Sequence, residues 1–474
     1  MRTLSTIVLL LAAPLAAAGP LHLQALVPTS GSGAAAVLDG DVESGWSPAG
    51  DPGGEGLLLR FEQPEPVSGI RVRLCPGSGG FNLLPYVNGT AVEASAQDRD
   101  REVYAIAGGK LRSLFLRVAV AEGVPCVGEV EFLRAGERLA VAPPRRRAGA
   151  VAASSTLTPV DAYHPAYLFD GRTDFGWVEG ARGLGRGESI RLTLDEPLAV
   201  EALEIWNGYQ RSKDHFYKNA RAVELGLRID GGAQRTLKLA DQMGPQKIAL
   251  DEPVRGKVFE LTIRKARRGS RYPDLVLSEL RLWDAAGPLS VVTDDMQQRR
   301  QALLEQIAGG PLEQVVDRQY ACACCVQRST RLKLRSNHTF VWYEDDQTAD
   351  GESRSEVFDG AWVMAGSKPP AALIKLYGRR HRTAAKFDPY AGNAVESSVR
   401  IGGGKLQLVR LADIDPAQFA TLVKRWQRGP ARDRVACLGL PEQDLAAVLE
   451  RLVVREAILV RGRAITDLLV HVTR

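Results

Sequence analysis

Two short stretches constrain this chain more than anything else in it. VLDGDVESGW ends at Trp46 and LFDGRTDFGW ends at Trp177, and the interval from Asp39 to Trp46 equals that from Asp170 to Trp177. Each is followed by runs that alternate apolar and polar residues. EGLLLRFEQPEPVSGIRVRL follows the first and ESIRLTLDEPLAVEALEIWNG the second, and VGEVEFLRAGERL and LSELRLWDAAGPL then close the two series in the same order. Three matched blocks in one order read as two copies of one unit. Alternation at period two, bounded by Gly, Pro, Asn and Asp, is the pattern of half-buried strands. Each copy is therefore expected to be a jelly-roll β-sandwich, the first over residues 19–140 and the second over 154–290. The Pro-, Arg- and Ala-rich stretch 141–153 reads as an exposed linker between them.

After residue 290 the texture changes. DDMQQRRQALLEQI spaces Met296, Leu303, Leu304 and Ile307 as a helix would, with Asp294 and Asp295 at its N-terminal turn. PLEQVVDRQY reads as a short second helix. TRLKLRSNHTFVWYEDD, EVFDGAWVMAG, AALIKLYGRR and SSVRIGGGKLQLVRL predict an antiparallel meander. Helices are expected over 416–429 and 441–454, with a third over AITDLLVHV, residues 464–472. The whole is mainly β: two sandwiches and an α+β C-terminal region, 291–474, of open role.

The first residues read as a sorting signal. MRTLSTIVLLLAAPLAAAGP has Arg2, an apolar run from Ile7 to Ala13 and small residues through Ala18, the pattern of a cleaved secretory signal peptide over 1–18. The apolar run is shorter than the ~20 residues that span a bilayer, and no Cys follows it to take a lipid. A secreted or periplasmic protein without a transmembrane anchor is the expectation. In that compartment disulfides are the default. Cys75 and Cys126 stand alone in the first third and are paired; the pairing of Cys322, Cys324, Cys325 and Cys437 stays open. A formal net charge of +5 on 474 residues is too small for a dedicated nucleic-acid binder.

The two copies are unequal. NGYQRSKDHFYKN follows the second block only in the second copy, so function is placed there. GWVEG, IWNGYQRS, FYKNAR and YPDLVLSEL resemble the NADase-type glycan-binding domain, a discoidin-like module, over residues 154–285. The first copy resembles only the wider discoidin or coagulation-factor type C fold. The resemblance implies a site for glycans. Sugars present hydroxyls that need paired donors and acceptors, and C–H faces that stack on rings. Asn207, Lys213, Asn219, Arg221 and Asp274 supply the former, with Glu179 and Lys218 beside them; Trp177, Tyr209, Tyr217 and Tyr272 supply the latter. Trp177 reads equally as a core residue, and Trp206, within a strand, reads as core.

Discoidin-like sugar modules commonly hold a metal between the Asp-Gly turn and a late Glu. That resemblance implies structural Ca2+ at Asp170, Asp174 and Glu279, with Asp39, Asp41 and Glu129 as first-copy counterparts. Calcium wants six to eight oxygens, so turn carbonyls would complete the shell. The alternative is a plain Asx turn at Asp170 with Glu279 paired to an Arg. The catalytic motifs sought, G-x-S-x-G, P-loop and H-E-x-x-H, do not occur. His338 reads as a surface residue at a strand start rather than a base. The expected function is non-catalytic carbohydrate recognition. Two alternatives stand: a glycan-targeted enzyme or toxin with its active unit in the C-terminal region, and an adhesion protein that binds a protein partner.

Overall fold

The computed structural model describes residues 20–78, 81–98, 103–121, 123–310, 312–321, 328–347, 353–368, 371–382, 404–410, 457–461 and 466–471. The leader, Cys322, Cys324, Cys325, Cys437 and the helices expected over 416–429 and 441–454 lie outside them. Cys75 and Cys126 form a disulfide.

Both sandwiches share one topology. In the first, strands Thr90–Ala91, Phe81–Val87, Val103–Ala121, Gly56–Leu74, Leu21–Pro28 and Val141–Ala142 lie side by side. In the second, the matching order is Arg235–Lys238, Arg221–Ile229, Pro245–Arg267, Ser189–Asn207, Arg146–Ala153 and Gly287–Thr293. The last pair is parallel in each copy. Gly56–Leu74 also pairs with Val127–Arg134, as Ser189–Asn207 does with Val276–Asp284. The long strands cross from layer to layer at register shifts, between Arg60 and Glu65 and between Thr193 and Leu198. Pro64 and Pro197 fall inside those shifts, where a residue with no N–H leaves no ladder bond unmade.

The duplicated Gly-Trp pair explains itself here. A Cβ at Gly45 would lie 2.2 Å from the Val127 carbonyl oxygen, and one at Gly176 would lie 2.5 Å from that of Leu277. Only glycine lets the backbones approach this closely. The adjacent indoles then turn inward. Trp46 Nε1 donates to Ser30 O and Trp177 Nε1 to Ser155 O, both at 2.9 Å. Trp46 and Trp177 each belong to the apolar core of their sandwich.

The linker is far shorter than expected. Val141–Ala142 is a strand of the first sheet and Arg146–Ala153 an interior strand of the second, so only residues 143–145 connect them. Ala and Gly stand where this strand's apolar residues would be, and Val151 is its one fully buried hydrophobe. That left no alternation to read.

The C-terminal region is the expected antiparallel meander, closed into a barrel. Its strands are Gln319–Ala321, Arg328–Leu334, Thr339–Gln347, Ser353–Lys368, Ala371–Arg382, Gly404–Arg410, Ala457–Arg461 and Thr466–His471. Tyr320 paired with His471 closes it. The stretch expected as a helix over 464–472 thus supplies the closing strand; the partner across the barrel overrides local preference. The helix Asp295–Ile307 forms as expected. PLEQVVDRQY makes only a single turn, with Val316 N donating to Leu312 O, before Asp317 turns left-handed at φ 62°. Leu303, Ile307, Leu312, Val315 and Val316 pack with the barrel-lining Leu332, Phe340, Trp342 and Trp362.

The outside of the barrel meets both sandwiches. Val341 and Tyr343 pack on Leu58, Tyr86 and Phe115 of the first, and Ala361 packs on Tyr167 and Phe175 of the second. At the first contact Glu55 is wholly buried. It accepts from Lys333 Nζ at 2.8 Å, from Arg335 Nε at 2.9 Å and from the Thr29 hydroxyl. Burial alone would raise this carboxyl; the Arg335 and Lys333 charges outweigh it and hold it at about 2. Removing one partner from such a network leaves buried charge uncompensated, at a cost of about 3–5 kcal/mol. Glu55→Gln is expected to lose that much in chemical denaturation near neutral pH. Because the folded-state value lies below the ordinary 4.5, the contribution is full above 4.5 and fades as pH falls toward 2. A wild-type advantage equally large at about pH 2 would exclude the ionised network.

Candidate functional site

The segment that sets the second copy apart, Asn207–Ala220, lies at one end of the second sandwich. Gly208, at φ 76°, turns the chain out of its strand, and Ser212 caps the short helix Lys213–Lys218 by accepting from His215 N. Most of its polar groups face inward. Asn207 clamps the neighbouring strand at two points, donating to Ala222 O at 2.8 Å and accepting from Ala222 N at 2.9 Å. Gln210 donates to Asn207 O, and Arg211 Nε donates to Asp174 O at 2.8 Å. Asn219 donates to His215 O. Arg221 donates to the carbonyls of Phe216 and Asn219 and to Asp241.

This arrangement corrects several expectations. Asn207, Asn219 and Arg221 are buried and shape the loop rather than face a ligand. Trp177 is core. Glu179 is fully buried, accepting from Leu275 N and Ala181 N, and burial raises its carboxyl. Trp206 is buried as expected, on the sheet face opposite the main apolar cluster and beneath the Arg281 guanidinium. Tyr209 packs with Val178 and Val276, under Arg211. His338 is buried rather than superficial and stands 3.7 Å from Asp161.

What stays in contact with solvent is a narrower set. Lys213 and Tyr217 are exposed, Tyr217 at 45%, while Lys218, Tyr272 and Asp274 are half-buried. Backbone bonds hold these residues together. Ser270 N donates to Tyr217 O, Tyr272 N to Lys218 O and Ala220 N to Asp274 O. The loop 270–274 is thereby laid along 217–220. Burial raises the Asp274 carboxyl. Tyr163 adjoins the same set, because it packs against Tyr209, Val178 and Val276, the last of these two residues after Asp274. Sequence reasoning missed Tyr163, for which the first copy offered no counterpart to compare.

The expected metal trio becomes a pair. Arg172 grips Asp174 through two bonds of 3.0 and 2.8 Å, which takes that carboxylate out of the set. Among the described residues, no group of three His, Cys, Asp or Glu side chains is placed to hold an ion. The Asp170 and Glu279 carboxyls are both pushed well up: burial acts first on each, and the Asp170 charge then acts on Glu279. Glu279 Oε2 is buried and has no hydrogen-bond partner. The first copy shows what such an oxygen needs. There Glu129 accepts from Gly40 N and pairs with the Arg138 guanidinium. Pro288 occupies the matching place in the second copy. Asp39 and Asp41 are engaged by their own turn, accepting from Asp41 N and Glu43 N. Asp170 is engaged in the same way, accepting from Arg172 N at 2.7 Å, so the copies differ at the glutamate: Glu129 carries a guanidinium and Glu279 keeps one unbonded oxygen.

Comparison with known proteins bears on the second sandwich. No curated protein matches the chain in sequence. The family 32 CBM from C. perfringens NanJ, solved with galactose, is 14% identical over 28% of this chain and 92% of its own, with a TM-score of 0.23. The CBM32-1 and CBM32-2 domains of ZmpB from Clostridium perfringens, solved with GalNAc, are 10% identical over 55% of this chain and 89% of theirs, at 0.23. The arabinofuranosyltransferase AftD from Mycobacteria is 10% identical over 76% of this chain and 38% of its own, at 0.27. Residues 146–283, the extent of the second sandwich up to Trp283, match the family described as NAD glycohydrolase translocation F5/8 type C domain.

Proposed function

We propose that the second sandwich binds glycans through the strip Lys213, Tyr217, Lys218, Tyr272 and Asp274, in an exported, non-catalytic protein. The observation that carries this is the division of labour in the loop. Its interior polar groups are bonded to backbone, whereas two tyrosines, two lysines, of which Lys218 pairs with Asp214, and the Asp274 carboxylate remain toward solvent at an end that the first copy does not elaborate. Tyr217 offers a ring face for sugar C–H groups. Asp274 accepts from hydroxyls and the lysines donate to them. The disulfide and the leader pattern support export. The translocation named in the matching family's description supports a second reading, in which glycan attachment delivers a C-terminal active unit.

We also infer that Asp170 and Glu279 hold a cation such as Ca2+. The orphaned Glu279 oxygen supports this, as does the Arg138 guanidinium that fills the matching place in the first copy. The ion would neutralise the pair and tie the Asp-Gly turn to the Val276–Asp284 strand; it has no reactive part.

Two measurements test these readings. On an array of oligosaccharides, Tyr217→Ala is expected to weaken retention of the full chain by roughly ten-fold, the size of one lost ring contact. Retention of no glycan by the wild type would sink the glycan reading. For the cation, calcium at a hundredfold excess over its dissociation constant should stabilise chelator-treated protein by about 2.7 kcal/mol, seen as a rise in Tm. Glu279→Gln should abolish the rise and, in chelator, leave the protein as stable or more so, because it removes the like-charge contact. An unchanged wild-type Tm on adding calcium counts against the ion.

A further inference from the structure

The barrel reaches the same end of the second sandwich. Along strand Ala371–Arg382, Ala372, Ile374 and Leu376 face the barrel core, so Lys375 and Tyr377 point outward by the two-residue alternation. Tyr377 is in register with Ala361, which packs on Tyr167 and Phe175. That register sets Tyr377 against Tyr163, ring centroids 6.1 Å apart with planes at 69°. Lys375 Nζ stands 5.3 Å from the Tyr377 ring centroid. On the sandwich side Tyr163 packs against Tyr209, Val178 and Val276, and Val276 lies two residues beyond Asp274, whose carbonyl accepts from Ala220 N. Tyr163, Tyr377 and Asp274 are each half-buried, so all three retain contact with solvent.

These contacts extend the strip described above. From Tyr217 and Lys218 it runs along the 270–274 loop to Asp274 and Tyr163, then crosses to Tyr377 and Lys375 on the barrel. We propose that sandwich and barrel form one composite site for an extended, hydroxyl-rich oligosaccharide, with Tyr217 and Tyr272 stacking on one part of the chain, Tyr163 and Tyr377 on another, and Asp274 accepting hydroxyls between them. The proposal rests on the glycan reading of the second sandwich and adds to it the length of the ligand and the barrel's share in holding it.

The test uses the full chain on an array of neutral and acidic oligosaccharides graded from mono- to hexasaccharide. Tyr377→Ala is expected to weaken retention of the longer members by about ten-fold and to leave the shortest unchanged. Tyr217→Ala should weaken all of them. Tyr377→Phe, which keeps the ring, should retain most of the affinity and serves as the fold-preserving comparison if Tyr377→Ala lowers the Tm. Wild-type retention by Tyr377→Ala at every length, alongside loss in Tyr217→Ala, would overturn the composite site and leave the sandwich reading standing. A wild type that retains no glycan overturns both.

Discussion

Each sandwich depends on one close approach of two backbones. Gly45 rides against Val127 and Gly176 against Leu277, nearer than any side chain at the glycine permits. With the strands that close, the next residue has no room to point anywhere but inward, and its indole becomes the largest buried group at that end of the core. The tryptophan N–H would be costly to bury unpaired; the carbonyl of Ser30 or Ser155 satisfies it and fixes the incoming chain. In the second copy this anchors the segment before the Asp-Gly turn, and with it Tyr163. Everything exposed at the loop end is therefore hung from a rigid base, the condition under which surface loops hold a ligand-binding geometry.

Buried charge relates the units to one another. Glu55 of the first sandwich holds Lys333 and Arg335 of the barrel. Glu62 of the first sandwich and Glu204 of the second share Arg281. Asp161 of the second sandwich takes Arg299 from the helix that packs on the barrel. The Glu55 and Glu204 pairs are buried on both sides. Such pairs are weak contributors to net stability and strong selectors of arrangement, since any other docking leaves a charge buried alone. Asp161 and Glu62, by contrast, keep contact with solvent. The consequence for function is geometric. The barrel is set by these pairs so that its Ala371–Arg382 strand lies against the loop end of the second sandwich, and Tyr377 meets Tyr163.

The parts of this that were legible in the sequence are those fixed by backbone geometry. The Gly-Trp pair and the alternating strands recur in both copies because the same closure requires them; the register shifts at Pro64 and Pro197 emerge only from the strand pairing. The strand Arg146–Ala153 was illegible because Val151 is the one large apolar residue on its inward side, between Gly149 and Ala153. The Asn207–Ala220 loop was legible as special, but a sequence does not say whether an amide faces water or closes on a neighbouring carbonyl. Asn207, Asn219 and Arg221 do the second. Tyr377 could not be associated with the loop at all, because its place follows from register across the barrel and from how the barrel docks.

The divergence of the two copies follows from a few side chains on a conserved frame. Arg138 sits on Glu129 in the first copy, so its carboxylate needs nothing from outside. Pro288 stands in the matching place in the second, and Glu279 is left beside Asp170 with an unbonded oxygen. At the loop end the second copy gains a segment whose inner half bonds to itself and whose outer half, apart from the Lys218–Asp214 pair, faces solvent. A saturated loop alone would be only a plug. Polar groups that bond inward give the loop one conformation, and that single conformation is what allows Tyr217, Tyr272 and Asp274 to present a surface of fixed shape instead of a fluctuating one. Because their supports are buried, substitutions at Asn207 or Arg221 would damage binding by releasing that shape, and a loss of function there would not identify a ligand contact.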